Sequence, residues 1–87
     1  MKTYYLSVVT PQEIFFQGDV ASLIAPGATG SFGVLADHAP IISTLVAGSF
    51  TLTTEEGQRQ FQIGPGFLDV VNNQATLLTT SIASLPL

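Results

Sequence analysis

Turn signals interrupt this chain roughly every eight to twelve residues, and this spacing most constrains its fold. No window between the turns has the i, i+3, i+4, i+7 spacing of an amphipathic helix. The intervening segments are rich in β-branched and aromatic residues, and several alternate apolar with polar side chains. Short segments with this spacing are typical of antiparallel sandwiches and barrels, so we predict an all-β fold.

The clearest strands are predicted where alternation is strongest and a turn signal follows. They cover residues 4–9, 14–17, 20–25, 30–34, 49–54, 59–63, 67–71 and 74–80. Turns are predicted at Gly18-Asp19, at residues 55–58 and at Asn72-Asn73, since asparagine tolerates a positive φ. Residues 39–46 form an apolar segment that Gly48 ends, and residues 81–87 form a tail with neither strand alternation nor a helical period.

Phe15 and Phe16 are adjacent in a predicted strand, so regular alternation points them to opposite faces. Two interpretations stay open. One ring lies exposed on the outer face until a partner covers it, or a curved sandwich buries both rings.

The segment from Pro26 to Pro40 holds three of the eight glycines and the only histidine, His38. We predict a long irregular connection here, and loops of this length are usually functional or disordered. Its large apolar residues, Phe32, Val34 and Leu35, argue against disorder. The glycines favour tight turns and close backbone approach.

Composition limits the partners of this chain, whose 87 residues predict a single domain, 1–87. Only 9% of the residues are charged, the net charge is −4, and Lys2 and Arg59 are the only cations. Two cations are too few for binding nucleic acid or an anionic lipid surface. Such low charge predicts burial against protein partners. With no leader-like start and no run of ~20 apolar residues, we expect a cytosolic chain, or one attached to a membrane only through another protein.

Residues capable of catalysis or metal binding are scarce. Asp37-His38 resembles part of a hydrolase triad, but neighbours in sequence rarely adopt that geometry and no nucleophile elbow accompanies them. The chain has no cysteine and no metal-ligand spacing, and its glycine-rich segment lacks the lysine of a phosphate loop. We expect no catalytic residue, cofactor or metal, and a subunit of an assembly. The alternatives are a free-standing β-sandwich module that binds a ligand or peptide, and a small hydrolase using Asp37-His38.

The ordered motifs of the chain resemble the epsilon-subunit family of F-type ATP synthases. They are residues 6–11 (LSVVTP), 14–18 (IFFQG), 30–42 (GSFGVLADHAPII), 46–48 (VAG) and 66–70 (GFLDV). The resemblance covers nearly the whole chain, and 30–40 is its most specific part. It implies a sandwich of two five-stranded antiparallel sheets, with about ten short strands.

The resemblance also implies a role and partners. The chain would be a non-catalytic subunit of the central stalk, at the cytoplasmic face of a bacterial cell membrane. There it would link the gamma subunit to the ring of c subunits and couple proton flow to ATP synthesis in the catalytic head. The loop facing the c ring would be Ala28, Thr29, Gly30, Ser31 and Phe32. The positions facing gamma would be Thr10, His38 and Ser43.

The chain departs from the family pattern at two places. Ser31 stands where the family often has an acidic residue, and Ala36-Asp37 stands where it often has Pro-Gly. Many members also continue into a C-terminal helical hairpin that inhibits ATP hydrolysis. We expect a naturally short form without that hairpin.

Overall fold

The computed structural model describes residues 2–85, which form ten β-strands and no helix. The strands are β1 (Tyr4–Val9), β2 (Ile14–Val20), β3 (Ser22–Gly27), β4 (Gly30–Leu35), β5 (Ile41–Leu45), β6 (Gly48–Thr54), β7 (Gly57–Ile63), β8 (Gly66–Val71), β9 (Gln74–Thr79) and β10 (Ile82–Leu85). In this part of the chain no helix is long and apolar enough to span a membrane.

The strands form two layers of five. The first sheet has the order β10-β7-β6-β3-β4 and the second has the order β5-β8-β9-β1-β2. One backbone pair, Gly27 with Leu45, joins them. The predicted all-β sandwich of two five-stranded sheets is therefore confirmed. One neighbouring pair, β1 with β9, is parallel rather than antiparallel. Alternation along a strand is the same for both directions, so the sequence did not predict it.

The inner faces of both sheets meet in one apolar core. Its centre holds Phe50 and Phe61, whose ring centroids lie 6.1 Å apart in a stacked arrangement. Leucine and valine from both sheets surround these rings: Leu6, Val8, Leu68 and Leu77 from the second sheet, and Leu23, Val34 and Leu52 from the first. Each is at most 1% exposed. The strands thus alternate inward and outward as their sequences predict.

The predictions for Gly18-Asp19 and for the tail are wrong. Gly18-Asp19 is not a turn but part of β2, which continues to Val20. Gly18 lies opposite the buried Leu6 with the Phe16 ring over it, so the missing side chain makes room for an aromatic neighbour. The tail is not wholly irregular either, because residues 82–85 pair with β7 as β10. Residues 86 and 87 lie outside the described range.

Phe15 and Phe16 resolve in favour of the interpretation that buries both rings. The register of β1 with β2 shifts between Val8, opposite Phe16, and Val9, opposite Ile14, which leaves Phe15 as the extra residue of a β-bulge. Both rings are half-buried against the core, and Phe15 packs edge-to-face on Phe61 at 5.4 Å.

The long irregular connection predicted from Pro26 to Pro40 is mostly regular structure. Pro26 and Gly27 end β3, and residues 30–35 form β4. The irregular residues are the two at the hairpin tip, Ala28 and Thr29, and the connection of residues 36–40.

Candidate interaction surfaces

The first candidate surface is the tip of the β3–β4 hairpin, which contains the residues predicted to face a c ring. Ala28, Thr29, Gly30 and Ser31 are exposed, whereas Phe32 is half-buried against the core. A tight turn forms because Gly30 has a φ of 129°, which favours glycine. A side chain at Gly27 would approach the Gly30 carbonyl oxygen to 2.8 Å and the Phe32 ring to 2.9 Å. Glycine at 27 therefore lets Phe32 fold back and anchor the tip.

Thr10, predicted to face gamma, lies at the end of β1 and is only 9% exposed. Its hydroxyl and the Glu13 backbone exchange hydrogen bonds of 3.3 Å, and its backbone N–H donates to the Glu13 carbonyl at 2.9 Å. The side chain therefore holds the turn between β1 and β2. Beside it opens an apolar groove of about 570 Å³, whose lining includes Val9, Pro11, Leu45, Phe67 and Leu78.

An apolar row crosses the outer face of the second sheet at this groove. Phe67 of β8 lies opposite Leu78 of β9, Leu78 beside Val9 of β1, and Val9 opposite Ile14 of β2. Ile14, Phe67 and Leu78 are 59%, 53% and 48% exposed. Four large apolar residues in register on an outer face are unusual for a surface left to water.

This row was not predicted, although the sequence carries a signal for it. Val8-Val9, Phe67-Leu68 and Leu77-Leu78 are adjacent apolar pairs within strands. Alternation places one member of each pair inside and the other outside. Phe15-Phe16 is the exception among such pairs, because the β-bulge turns both rings toward the core.

His38, also predicted to face gamma, lies half-buried in the connection from β4 to β5. Its backbone N–H donates to the Leu35 carbonyl at 3.3 Å. Its ring Nδ1 lies 2.6 Å from the Ala39 carbonyl oxygen, a contact that requires the hydrogen on Nδ1. The other ring nitrogen, Nε2, makes no hydrogen bond to the connection between β4 and β5.

Asp37 adopts a φ of 65°, in the left-handed region that favours glycine. Its carboxylate accepts hydrogen bonds from the Lys2 ammonium and, at 2.9 Å, from the Asn73 amide. The hydrogen bond from Lys2, which contributes most, and the one from Asn73 hold the pKa of Asp37 below its usual value. The same contact raises the pKa of Lys2. Asp37 thus has a positive φ at the position where the family often has glycine.

This geometry does not support the hydrolase alternative. The Asp37 carboxylate bonds to Lys2 and Asn73, and the His38 ring contacts the Ala39 carbonyl. The two side chains therefore do not form a carboxylate–imidazole pair. Within residues 2–85, no group of three histidine or acidic residues is close enough to hold a metal ion.

Ser43, the third residue predicted to face gamma, lies in the middle of β5 opposite the buried Leu68. Directly opposed residues point to the same face, so Ser43 points toward the interior side of its sheet. It is half-buried, and its neighbour Ile42 is the residue that points outward, 78% exposed.

The structure brings some of the predicted residues together and separates others. Thr10 lies at the same end of the sandwich as the hairpin tip, because the Ala28 N–H donates to the Thr44 carbonyl beside the groove. His38 lies at the opposite end, near Asn73, whose carbonyl accepts from the Tyr5 N–H. From Tyr5 to Thr10 an extended strand spans about 17 Å. Thr10 and His38 thus mark the two ends of the second sheet, whereas Ser43 lies in the middle of β5.

Sequence comparison finds one matching family and several similar proteins. Residues 3–84 match the family described as ATP synthase, Delta/Epsilon chain, beta-sandwich domain. An ATP synthase epsilon chain from Chlorobaculum tepidum is 42% identical over 83 residues, and the match covers 94% of each chain. That of Chlorobium limicola is 41% identical over the same share. One from Leptospira borgpetersenii is 36% identical over 74 residues, and the match covers 85% of this chain and 58% of that protein.

Solved structures show the same fold. A chain of the Euglena gracilis mitochondrial ATP synthase, in a structure of OSCP, F1 and the c-ring, superposes with a TM-score of 0.89 at 25% identity. The match covers 94% of this chain and 53% of that one. A chain from the central stalk and c-ring of the Tetrahymena thermophila mitochondrial ATP synthase has a TM-score of 0.77 at 11% identity, which shows the fold alone. It covers 91% of this chain and 64% of that one.

Proposed function

Since this chain belongs to the ATP synthase delta/epsilon family, as its β-sandwich domain, we propose that it is a non-catalytic rotor subunit of a proton-translocating F-type ATP synthase. It joins the gamma subunit to the c ring and so couples proton flow to ATP synthesis. It works at the cytoplasmic face of a bacterial cell membrane and reaches the membrane only through the complex. The relatives do not favour a free-standing ligand- or peptide-binding module.

The observation that carries this proposal is the apolar row of Val9, Ile14, Phe67 and Leu78 on the outer face of the second sheet. Covering one exposed aliphatic or aromatic side chain contributes about 1–2 kcal/mol. In register, these side chains form a band across four strands that a protein partner can cover as one unit. The row runs into the groove beside Thr10, so it is continuous with one of the predicted gamma positions.

We assign the outer face of the second sheet to gamma and the hairpin tip to the c ring. The gamma contact extends from the groove along the strands toward His38, and Ile42 contributes an exposed side chain between them. The tip, Ala28 to Ser31, projects at the groove end of the sandwich. The two partners therefore contact different parts of the subunit and do not compete for one surface.

The proposal is tested by binding of purified gamma to the wild-type chain and to two matched variants. Leu78→Ser removes an apolar side chain from the row, and Ile24→Ser removes one from the outer face of the first sheet. The two residues are almost equally exposed, at 48% and 47%. We expect Leu78→Ser to weaken gamma binding about tenfold or more, as loss of an interface anchor does. Ile24→Ser should leave it within about twofold of wild type.

Two results would contradict the proposal. If the wild-type chain does not co-purify with gamma, the rotor function itself is wrong. If Ile24→Ser weakens binding and Leu78→Ser does not, gamma binds the first sheet instead.

A further inference from the structure

Two turns from distant parts of the chain are held together by a reciprocal pair of hydrogen bonds. The Asp37 backbone N–H donates to Asn73 Oδ1 at 2.6 Å, and Asn73 Nδ2 donates to Asp37 Oδ1 at 2.9 Å. One amide side chain thus binds both the backbone and the side chain of Asp37. A paired contact of this kind fixes orientation as well as distance.

Both partners have backbone conformations that need support. Asp37 has a φ of 65° and Asn73 a φ of 59°. An aspartate in this region persists when surrounding contacts hold it there. The Asn73 side chain supplies such contacts at Asp37, the residue directly before His38.

Asn73 is itself anchored to the sheet. Its carbonyl accepts a hydrogen bond of 3.0 Å from the Tyr5 N–H of β1. The connection of residues 36–40 is therefore tied through Asn73 to a central strand of the second sheet, and not only to β4 and β5, which flank it. The Lys2 ammonium binds the other carboxylate oxygen of Asp37 from the chain segment before β1.

We propose that Asn73 is a positioning residue, which fixes the Asp37-His38 turn and thereby sets the orientation in which His38 meets its partner. The first half stands on the contacts above. The second half rests on the proposed function, in which His38 faces gamma. Asn73 is not proposed to contact the partner, since it acts through Asp37.

The adjacent residue provides a matched control. Asn72 also has a positive φ, 50°, but among residues 2–85 its side chain makes no hydrogen bond. Asn73→Gly and Asn72→Gly therefore remove the same side chain from equivalent backbone conformations, and glycine tolerates both. Only Asn73→Gly breaks the contact with Asp37.

The variants are compared by amide hydrogen exchange and by gamma affinity, with full chains. In Asn73→Gly we expect the Asp37 amide to exchange about fivefold to tenfold faster than in wild type, the change typical for loss of a net-stabilising hydrogen bond. The pKa of Asp37, followed by NMR, should rise but stay below its usual value because Lys2 still donates. Gamma affinity should fall about fivefold. Asn72→Gly should match wild type in all three.

Each other outcome identifies which part is wrong. Unchanged exchange at Asp37 in Asn73→Gly would overturn the positioning role. Faster exchange with unchanged gamma affinity would show that Asn73 holds Asp37 but does not set how His38 meets gamma. If the wild-type chain fails to bind gamma, the proposed function fails. The exchange result alone still decides whether Asn73 holds the Asp37 turn.

Discussion

Tyr4 links the two sheets at the scale of a single residue. It belongs to β1 in the second sheet, is 3% exposed, and its hydroxyl donates a hydrogen bond of 2.7 Å to the Val34 carbonyl of β4 in the first sheet. Burial raises the pKa of the Tyr4 hydroxyl far above its ordinary value. The aromatic ring fills the core while the hydroxyl satisfies a backbone acceptor across it.

Tyr4→Phe should lower the free energy of unfolding by about 1–2 kcal/mol, because the Val34 carbonyl loses this donor in a buried site. The wild-type chain should also lose stability as the pH rises above about 10, where tyrosine in the unfolded chain ionises but buried Tyr4 keeps its proton. Tyr4→Phe should lack this alkaline component. Urea titrations of both proteins at pH 8 and at pH 11 measure this loss of unfolding free energy. If both proteins lose the same amount, Tyr4 is not its source.

Two turns with positive φ differ in how far the sequence predicts them. Asn72-Asn73 was predicted as a turn with positive φ, and both residues have it. The positive φ of Asp37 was not predicted, because it depends on an amide 36 positions away. Local chemistry identified the first turn, whereas the second needs a tertiary contact.

At the scale of elements, Gly66 controls how closely β8 approaches β9. A side chain at Gly66 would lie 1.8 Å from the Leu78 carbonyl oxygen and 2.9 Å from the Thr79 Cα. These are backbone atoms of the paired strand and cannot move aside as a side chain does. The next pair along is Phe67 with Leu78, so this close approach also supports the apolar row.

Gly66→Ala should therefore destabilise the chain by about 3 kcal/mol or more. Gly33→Ala is the control, since it is also a strand glycine but its nearest neighbour, the Leu23 carbonyl oxygen, lies at an ordinary 3.6 Å. That variant should stay within about 1 kcal/mol of wild type. Thermal unfolding of the two compares them directly. Equal stability would show that the strands separate at Gly66 without cost.

Strand existence was largely predictable, and strand partnership was not. Regular alternation in residues 49–54 identified β6, and aromatic and β-branched residues identified β1. The short strand β10 was missed because Ile82-Ala83-Ser84-Leu85 has no alternation, and its pairing with β7 decides its conformation. The β3–β4 hairpin was predicted only in part, because strands were expected at 20–25 and 30–34 while residues 26–40 were interpreted as one irregular connection. The apolar row needed the register of four strands.

For the molecule as a whole, the tips of the β3–β4 and β6–β7 hairpins of the first sheet lie at opposite ends of the sandwich. Ala28-Thr29 lies at the groove end, and Glu55-Glu56 at the end where Thr53 pairs with Ser22. On the proposed function, only the first tip meets the c ring. The absence of cysteine from the sequence makes this separation easy to probe with single introduced thiols.

We expect Thr29→Cys, in the assembled complex, to cross-link to the c ring with a short bifunctional reagent. Glu56→Cys, also exposed but at the other tip, should not. The products are identified by immunoblot against both subunits. Cross-linking from residue 56 alone would reverse the proposed orientation of the subunit.

The parallel pairing of β1 with β9 has a consequence for how the chain reaches this structure. Tyr5 pairs with Gln74, so β1 receives one of its two neighbours only after β2 to β8 have been synthesised. Until then the second sheet lacks a central contact, and the early hairpin of β1 with β2 keeps one edge unpaired. Contacts of such long sequence separation slow folding. Completion of this sandwich, and with it any docking on its second sheet, must therefore wait until β9 has been synthesised.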